Sequence, residues 1–117
     1  MGHPVMQWQI LARNPDALAA FYGALFGWRV NADNPMGYRT IDTASDRGIK
    51  GGIWPIGDEG HPLVQLFVEV ADVRECAARV EQLGGQIIIP PQVLPDGGEM
   101  AIVMDTEGLS FGLTKAR

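Results

Sequence analysis

The chain has little with which to crosslink itself, to cross a membrane or to grip a polyanion. Cys76 is its single cysteine, so no internal disulfide can form; this fits a reducing compartment and leaves stability to an apolar core. No run of about 18 apolar residues occurs, so no membrane span is expected and no membrane partner is inferred. The opening Met1-Gly2-His3-Pro4 carries neither a basic nor an apolar leader region, so secretion is not expected and the chain reads as cytoplasmic. Nine Lys and Arg are scattered singly against fourteen Asp and Glu, for a formal net charge of −5. Without a basic stripe, nothing can neutralise a row of phosphates, and nucleic acid is not an expected partner. A Gly-x-Ser-x-Gly elbow and a glycine loop with a phosphate-binding Lys are also missing.

What is present is ordinary for one globular domain: 117 residues, 46% of them hydrophobic and 20% charged. That suffices for one core without metal or disulfide staples. The informative feature is an internal repeat. Gly2-His3-Pro4-Val5-Met6-Gln7 matches Gly60-His61-Pro62-Leu63-Val64-Gln65 at four of six positions, 58 residues apart. Two copies are too few for a solenoid and point to a closed pseudo-twofold pair.

Each copy opens on a strand whose residues alternate between two faces. Trp8 and Ile10 point one way in the first, as do Leu66, Val68 and Val70 in the second. Gln7 and Gln9, and likewise Gln65, Phe67 and Glu69, point the other. A helix follows each strand. Asn14, Pro15 and Asp16 supply an N-cap, a first-turn proline and a favourable charge. Leu18, Phe21, Tyr22, Leu25 and Phe26 recur at helical spacing as one apolar face, and Gly27 stops the helix. In the second copy Asp72 and Glu75 cap the helix, Val73, Cys76, Ala77, Val80 and Leu83 form its apolar face, and Gly84 ends it. Cys76 is thereby expected to be a structural thiol, not a nucleophile.

Three short strands complete each copy, near 29–31, 38–42 and 51–54 in the first and near 86–89, 99–104 and 110–114 in the second. Residues 48–52 and Gly97-Gly98 read as glycine-rich loops, and 55–62 as the linker. The expected fold is α+β: two tandem βαβββ modules, about 1–56 and 60–117, in one domain. They would form a cupped mixed sheet with helices on the outer face.

Asn14-Pro15-Asp16 with Phe21-Tyr22 and Phe26-Gly27-Trp28, then Val70-Ala71-Asp72-Val73 with Leu83-Gly84-Gly85, resemble the vicinal oxygen chelate superfamily. Asp105-Thr106-Glu107-Gly108-Leu109-Ser110-Phe111-Gly112-Leu113 looks like its usual ending. That superfamily includes glyoxalase I, bleomycin-resistance proteins and extradiol dioxygenases, and the resemblance covers nearly the whole chain. It implies a small-molecule ligand in the cleft between modules and a homodimer. In metal-dependent members a His or Gln from the first strand of each copy, and a carboxylate or His from the last strands, hold a divalent ion. The matching positions here are Gln7 and Gln65, Gly52 and Gly112. Two neutral amides and two glycines do not make a tight divalent site, so no metal and no cofactor are expected. His3 and His61, each followed by Pro, read as duplicated surface residues at the starts of the strands, the alternative being a symmetric pair that binds metal across the pseudo-twofold.

The expected ligand-binding residues are Gln7, Gln9, Gln65 and Phe67, with Tyr38 and Trp54 from neighbouring strands and room over Gly52 and Gly112. Glu69 is the one carboxylate placed on this face and the candidate base. The leading expectation is a metal-independent binding protein that sequesters or recognises a small ligand. The alternatives are a lyase or isomerase using Glu69, and an interaction module whose cup is filled by side chains.

Overall fold

The computed structural model describes residues 2–34 and 37–116. By its contacts the chain divides into two compact units, residues 7–65 and the residues up to Met6 together with those from Leu66 onward. Each is a βαβββ module. The first holds β1 (Val5–Ala12, from Gln7), α1 (Pro15–Phe26), β2 (Arg29–Asn31), β3 (Arg39–Asp42) and β4 (Lys50–Pro55). The second holds β5 (Leu63–Val70, from Leu66), α2 (Val73–Gln82), β6 (Gln86–Val93), β7 (Glu99–Met104) and β8 (Ser110–Lys115). The α+β class and the two-module plan follow the sequence pattern.

In the first unit the strands lie in the order β2-β3-β4-β1. β1 runs parallel to β4, while the β3–β4 and β2–β3 pairs are antiparallel. The second unit repeats this as β6-β7-β8-β5, with β5 parallel to β8. The parallel pairs require a crossover, which each helix provides. Residues up to Met6 belong with the second unit, where the Glu69 backbone N–H donates to Pro4 O at 2.9 Å.

Local chemistry sets the helix ends. Asn14 Oδ1 accepts from the Ala17 backbone N–H at 3.1 Å, and Asp72 Oδ1 from that of Glu75 at 3.0 Å. Each side-chain oxygen satisfies one of the donors that a helix start leaves free. Gly27 closes α1 in the left-handed region at φ 72°, which a Cβ would disfavour.

One sheet face of each unit meets its helix. In the first, Ile10, Ala12, Ile41 and Ile53 are buried against Leu18, Ala19 and Tyr22 of α1, with Trp8, Trp28 and Val30 around them. In the second, Val70, Val73, Ala77, Ala101, Val103 and Leu113 form the core, flanked by Cys76, Val80 and Phe111.

Three sequence expectations need correction. Phe21, Leu25 and Phe26 are 59%, 58% and 55% exposed, so only part of the expected apolar face of α1 is covered. Phe21 lies about 100° round the helix from Tyr22, whereas Leu25, seven residues after Leu18, is on the same side as Leu18 and is exposed in the last turn. Of the stretch 48–52 read as a glycine-rich loop, Gly51 and Gly52 lie instead in β4, as the strand expected near 51–54 has them, close against aromatic rings. β6 runs four residues past the expected stop, through Pro90 and Pro91. Its position at the edge of its unit and two register irregularities against β7 absorb the missing N–H groups.

Candidate functional site

The face of the first unit turned away from α1 follows from alternation. Trp8, Ile10, Ile41 and Ile53 are held by the helix side, so Gln7, Gln9, Thr40, Gly52 and Trp54 project to the other. The register sets Gln9 beside Gly52 across the β1–β4 pair, and Thr40 beside Gly52 across β3–β4. Four of the expected ligand-binding residues come together here: Gln9, Tyr38, Gly52 and Trp54.

Tyr38 organises the group. Its phenol lies over Gly52, where a Cβ would collide with the hydroxyl. Its ring meets that of Trp54 with centroids 4.9 Å apart, an arrangement that adds roughly 1 kcal/mol beyond burial. Asn34, which no pattern in the sequence singles out, grips the backbone of Tyr38 from both sides. Its Oδ1 accepts from the Tyr38 N–H at 3.1 Å, and its Nδ2 donates to the Tyr38 carbonyl. A short Asn four residues before an aromatic is a turn signal in retrospect, with no periodicity to reveal it.

Burial raises the Tyr38 pKa above the ordinary 10.0, and a hydrogen bond with the Gln9 side chain pulls more weakly the other way. The phenol is therefore neutral at physiological pH. Gln9 is only 5% exposed, and its Oε1 is buried with no hydrogen-bond partner. A buried amide acceptor in that state costs about 1–3 kcal/mol. Native proteins seldom leave such a group without a use.

The second unit closes the equivalent place with hydrocarbon. Phe67 stands where the repeat has Gln9, pairs in register with Gly112, and covers it with its ring. At 2% exposure Phe67 is core. Glu69, the candidate base, is half-buried two residues on, in register with Thr114. Gln65 is buried and Gln7 half-buried. The room expected over Gly52 and Gly112 is taken in both units by an aromatic side chain, because only a missing Cβ lets the ring lie on the strand.

This geometry also tests the divalent ion that the superfamily implies. The Cβ positions of Gly52 and Gly112 coincide with the Tyr38 phenol and the Phe67 ring, so no carboxylate can be hung there without displacing them. Among the described residues, no three His, Cys, Asp or Glu side chains converge. Neutral amides at Gln7 and Gln65 do not offset the desolvation of a divalent cation. The residues do not fit the metal.

Elsewhere, His3 and His61 are both exposed. Burial, and then the Glu75 charge, push the Cys76 thiol above its usual range, which holds it in the unreactive thiol form. No helix among the described residues is long and apolar enough to cross a membrane.

Comparison with known proteins places this geometry in context. A family described as "Glyoxalase-like domain" matches residues 7–114. "Putative glyoxylase CFP32" of Mycobacterium bovis is 30% identical over 107 residues, covering 86% of this chain and 41% of that protein. The protein of the same name from Mycobacterium tuberculosis gives the same figures. The chain thus spans about two-fifths of the length of the curated relatives it matches. Among solved structures, hypothetical protein BH1468 from Bacillus halodurans C-125 superposes with a TM-score of 0.70 at 14% identity, covering 100% of this chain and 96% of that one. Methylmalonyl-CoA epimerase from Mycobacterium tuberculosis follows at 0.65 and 13% identity, over 97% of this chain and 87% of that one. At such identities the structures share a fold and nothing more. The match over residues 7–114, on two βαβββ modules, shows that the chain belongs to the glyoxalase-like domain family of the vicinal oxygen chelate superfamily.

Proposed function

We propose that this chain is a small-molecule binding protein of the glyoxalase-like family that works without a divalent ion at the superfamily's metal positions. The ligand sits on the sheet face of residues 7–65 turned away from α1, around Gln9, Tyr38 and Trp54. The observation that carries this reading is the buried, unpartnered Oε1 of Gln9 beside the Tyr38 hydroxyl. A ligand N–H or O–H that displaces the side chains covering this acceptor would give it the partner it lacks. The Tyr38–Trp54 ring pair offers a π surface to a flat or cationic body. The net charge of −5 favours neutral or cationic ligands over anions. A protein with this equipment recognises or sequesters its ligand.

The test is a thermal-shift and calorimetric screen of the untagged protein. One arm uses cationic aromatic antibiotics, bleomycin among them; the other uses Ni2+, Zn2+ and Mn2+. A ligand at about 100 times its Kd adds about 2.7 kcal/mol, a rise of roughly 10 °C in Tm at this chain length. The divalent ions are expected to give no saturable shift. About one tightly held divalent ion per chain in the purified protein would overturn the reading. Turnover of a bound compound that disappears in Glu69→Gln would replace it with a lyase or isomerase reading.

A further inference from the structure

Each unit has a glycine on its last strand with an aromatic ring lying on it, yet the two rings are held in different ways. In the second unit the ring belongs to Phe67, the register partner of Gly112, so strand pairing itself keeps it there, buried at 2% exposure. In the first unit the residue at that register position is Gln9. The ring on Gly52 is instead that of Tyr38, half-buried and brought in from just before β3. Its backbone is fastened on both sides. Asn34 holds the Tyr38 N–H and carbonyl, while Arg39 donates through Nη1 to the Gly37 carbonyl and through Nη2 to Asp16 at 3.0 Å. Rotation about the side-chain bonds of Tyr38 is therefore the way to clear Gly52, a rotamer change that needs no backbone movement.

What the phenol leaves unmet defines what could replace it. The Gln9 amide sets a donor beside an acceptor at the end of a side chain that is 5% exposed. A single hydroxyl serves one of the two, and Oε1 has no partner. An edge that carries an N–H donor next to an acceptor serves both at once, the bidentate pairing for which a Gln side chain is suited. The bare strand at Gly52 and the ring of Trp54, 4.9 Å from that of Tyr38 between centroids, select a flat body. Gln9, Tyr38, Gly52 and Trp54 bring no charge to offset a charged ring taken out of water, so the ring itself is neutral.

We infer that Tyr38 is a displaceable occupant of the ligand seat, and that the ligand presents a flat, neutral ring whose edge sets an N–H donor beside an acceptor, as an aminoazine or a lactam does. This rests on the reading that Gln9, Tyr38 and Trp54 form the binding site, and adds what enters the seat and what leaves it. The ligand's ring lies on Gly52, pairs with both ends of the Gln9 amide and stacks on Trp54, while the phenol turns out to water. Apparent affinity is then reduced by the fraction of molecules in which the phenol holds the seat. Removing the phenol lifts that reduction, whereas a methyl group on Gly52 denies the seat to the ligand's ring as it does to the phenol.

The probes are 2-aminopyrimidine, which has a donor beside an acceptor, pyrimidine, which has acceptors alone, and aniline, which has the donor alone. Tyr22 and Tyr38 are the two tyrosines of the chain, so NMR of ring-labelled tyrosine follows the phenol directly in the wild-type protein. With 2-aminopyrimidine at up to about 10 mM, the Tyr38 signals should move as the ring leaves Trp54, and those of Tyr22 should stay. Tyr38→Ala should bind 2-aminopyrimidine at least about 10-fold more tightly than the wild type does. The same variant should prefer it to pyrimidine and to aniline by at least about 10-fold, a preference that adding Gln9→Met removes. Bound 2-aminopyrimidine that leaves the Tyr38 signals in place would overturn the inference, as would a Tyr38→Ala protein that binds the three rings alike or no better than the wild type. Binding of none of them by either protein would overturn it too. If Tyr38→Ala does not fold, the wild-type tyrosine signals decide alone. None of these results touches the reading it rests on, which falls instead to a tightly held divalent ion in the purified protein.

Discussion

Replacing Gln9 by methionine should make the ligand-free protein at least as stable while removing its ligand affinity. Methionine keeps the length of the side chain but has no strong acceptor to leave without a partner. The change relieves the cost of the buried Oε1, about 1–3 kcal/mol, and gives up the hydrogen bond with Tyr38, about 0.5–1.5 kcal/mol. Tyr38 is only part-buried, so water can serve its hydroxyl afterwards. The balance runs from about −0.5 to about +2.5 kcal/mol and centres on about 1 kcal/mol in favour of the variant, a Tm rise of roughly 4 °C. This does not depend on which way round the amide lies. One hydroxyl beside one amide satisfies either its donor or its acceptor, not both. Urea denaturation followed by Trp fluorescence gives the stability, with an unchanged m-value as the check on two-state behaviour. Calorimetry with a ligand from the screen gives the affinity, expected to fall about 10-fold or more. A variant destabilised by more than about 1 kcal/mol would show that the oxygen was already satisfied. Unchanged affinity would show that the ligand does not use it.

The two strand glycines should respond unequally to a methyl group. Gly112→Ala drives a Cβ into the ring of Phe67, which is core and has nowhere to go, so a loss of about 1–3 kcal/mol is expected by denaturation. Gly52→Ala meets the far end of the Tyr38 side chain, which can swing aside; stability should fall less, and ligand affinity should fall with the displaced phenol. Equal costs at both sites would contradict this reading of the two faces. The Tyr38 phenol also predicts a pH dependence. Its folded pKa is raised by burial above the ordinary 10.0, so its contribution is fully present below pH 10 and is lost as the pH rises through the folded value. Tyr38→Phe should show a shallower loss of stability in that alkaline window than the wild type, and parallel curves would refute it.

The sequence by itself determined the elements and their repetition. Strand alternation from Gln7 and from Gln65, caps at Asn14 and Asp72, and glycine stops at Gly27 and Gly84 are local properties, legible wherever backbone chemistry and period decide the outcome. Membership of the glyoxalase-like family was legible for the same reason, since its short motifs are the punctuation of those elements. The absence of carboxylates at the metal positions could also be read directly, because it is a matter of residue identity. Only the tertiary structure decided what fills the space those residues leave. Gly52 and Gly112 look alike in sequence, yet one is covered by a phenol from beyond the next strand and the other by the ring of its own register partner. Whether a glycine on a strand means a vacancy or a seat for a ring depends on side chains distant in sequence, which no period encodes. The same limit applies to α1. Helical spacing groups Phe21 and Leu25 with Leu18 and Tyr22, but one sheet covers only part of the circumference of a helix, and the angle at which it packs selects which apolar residues remain in water.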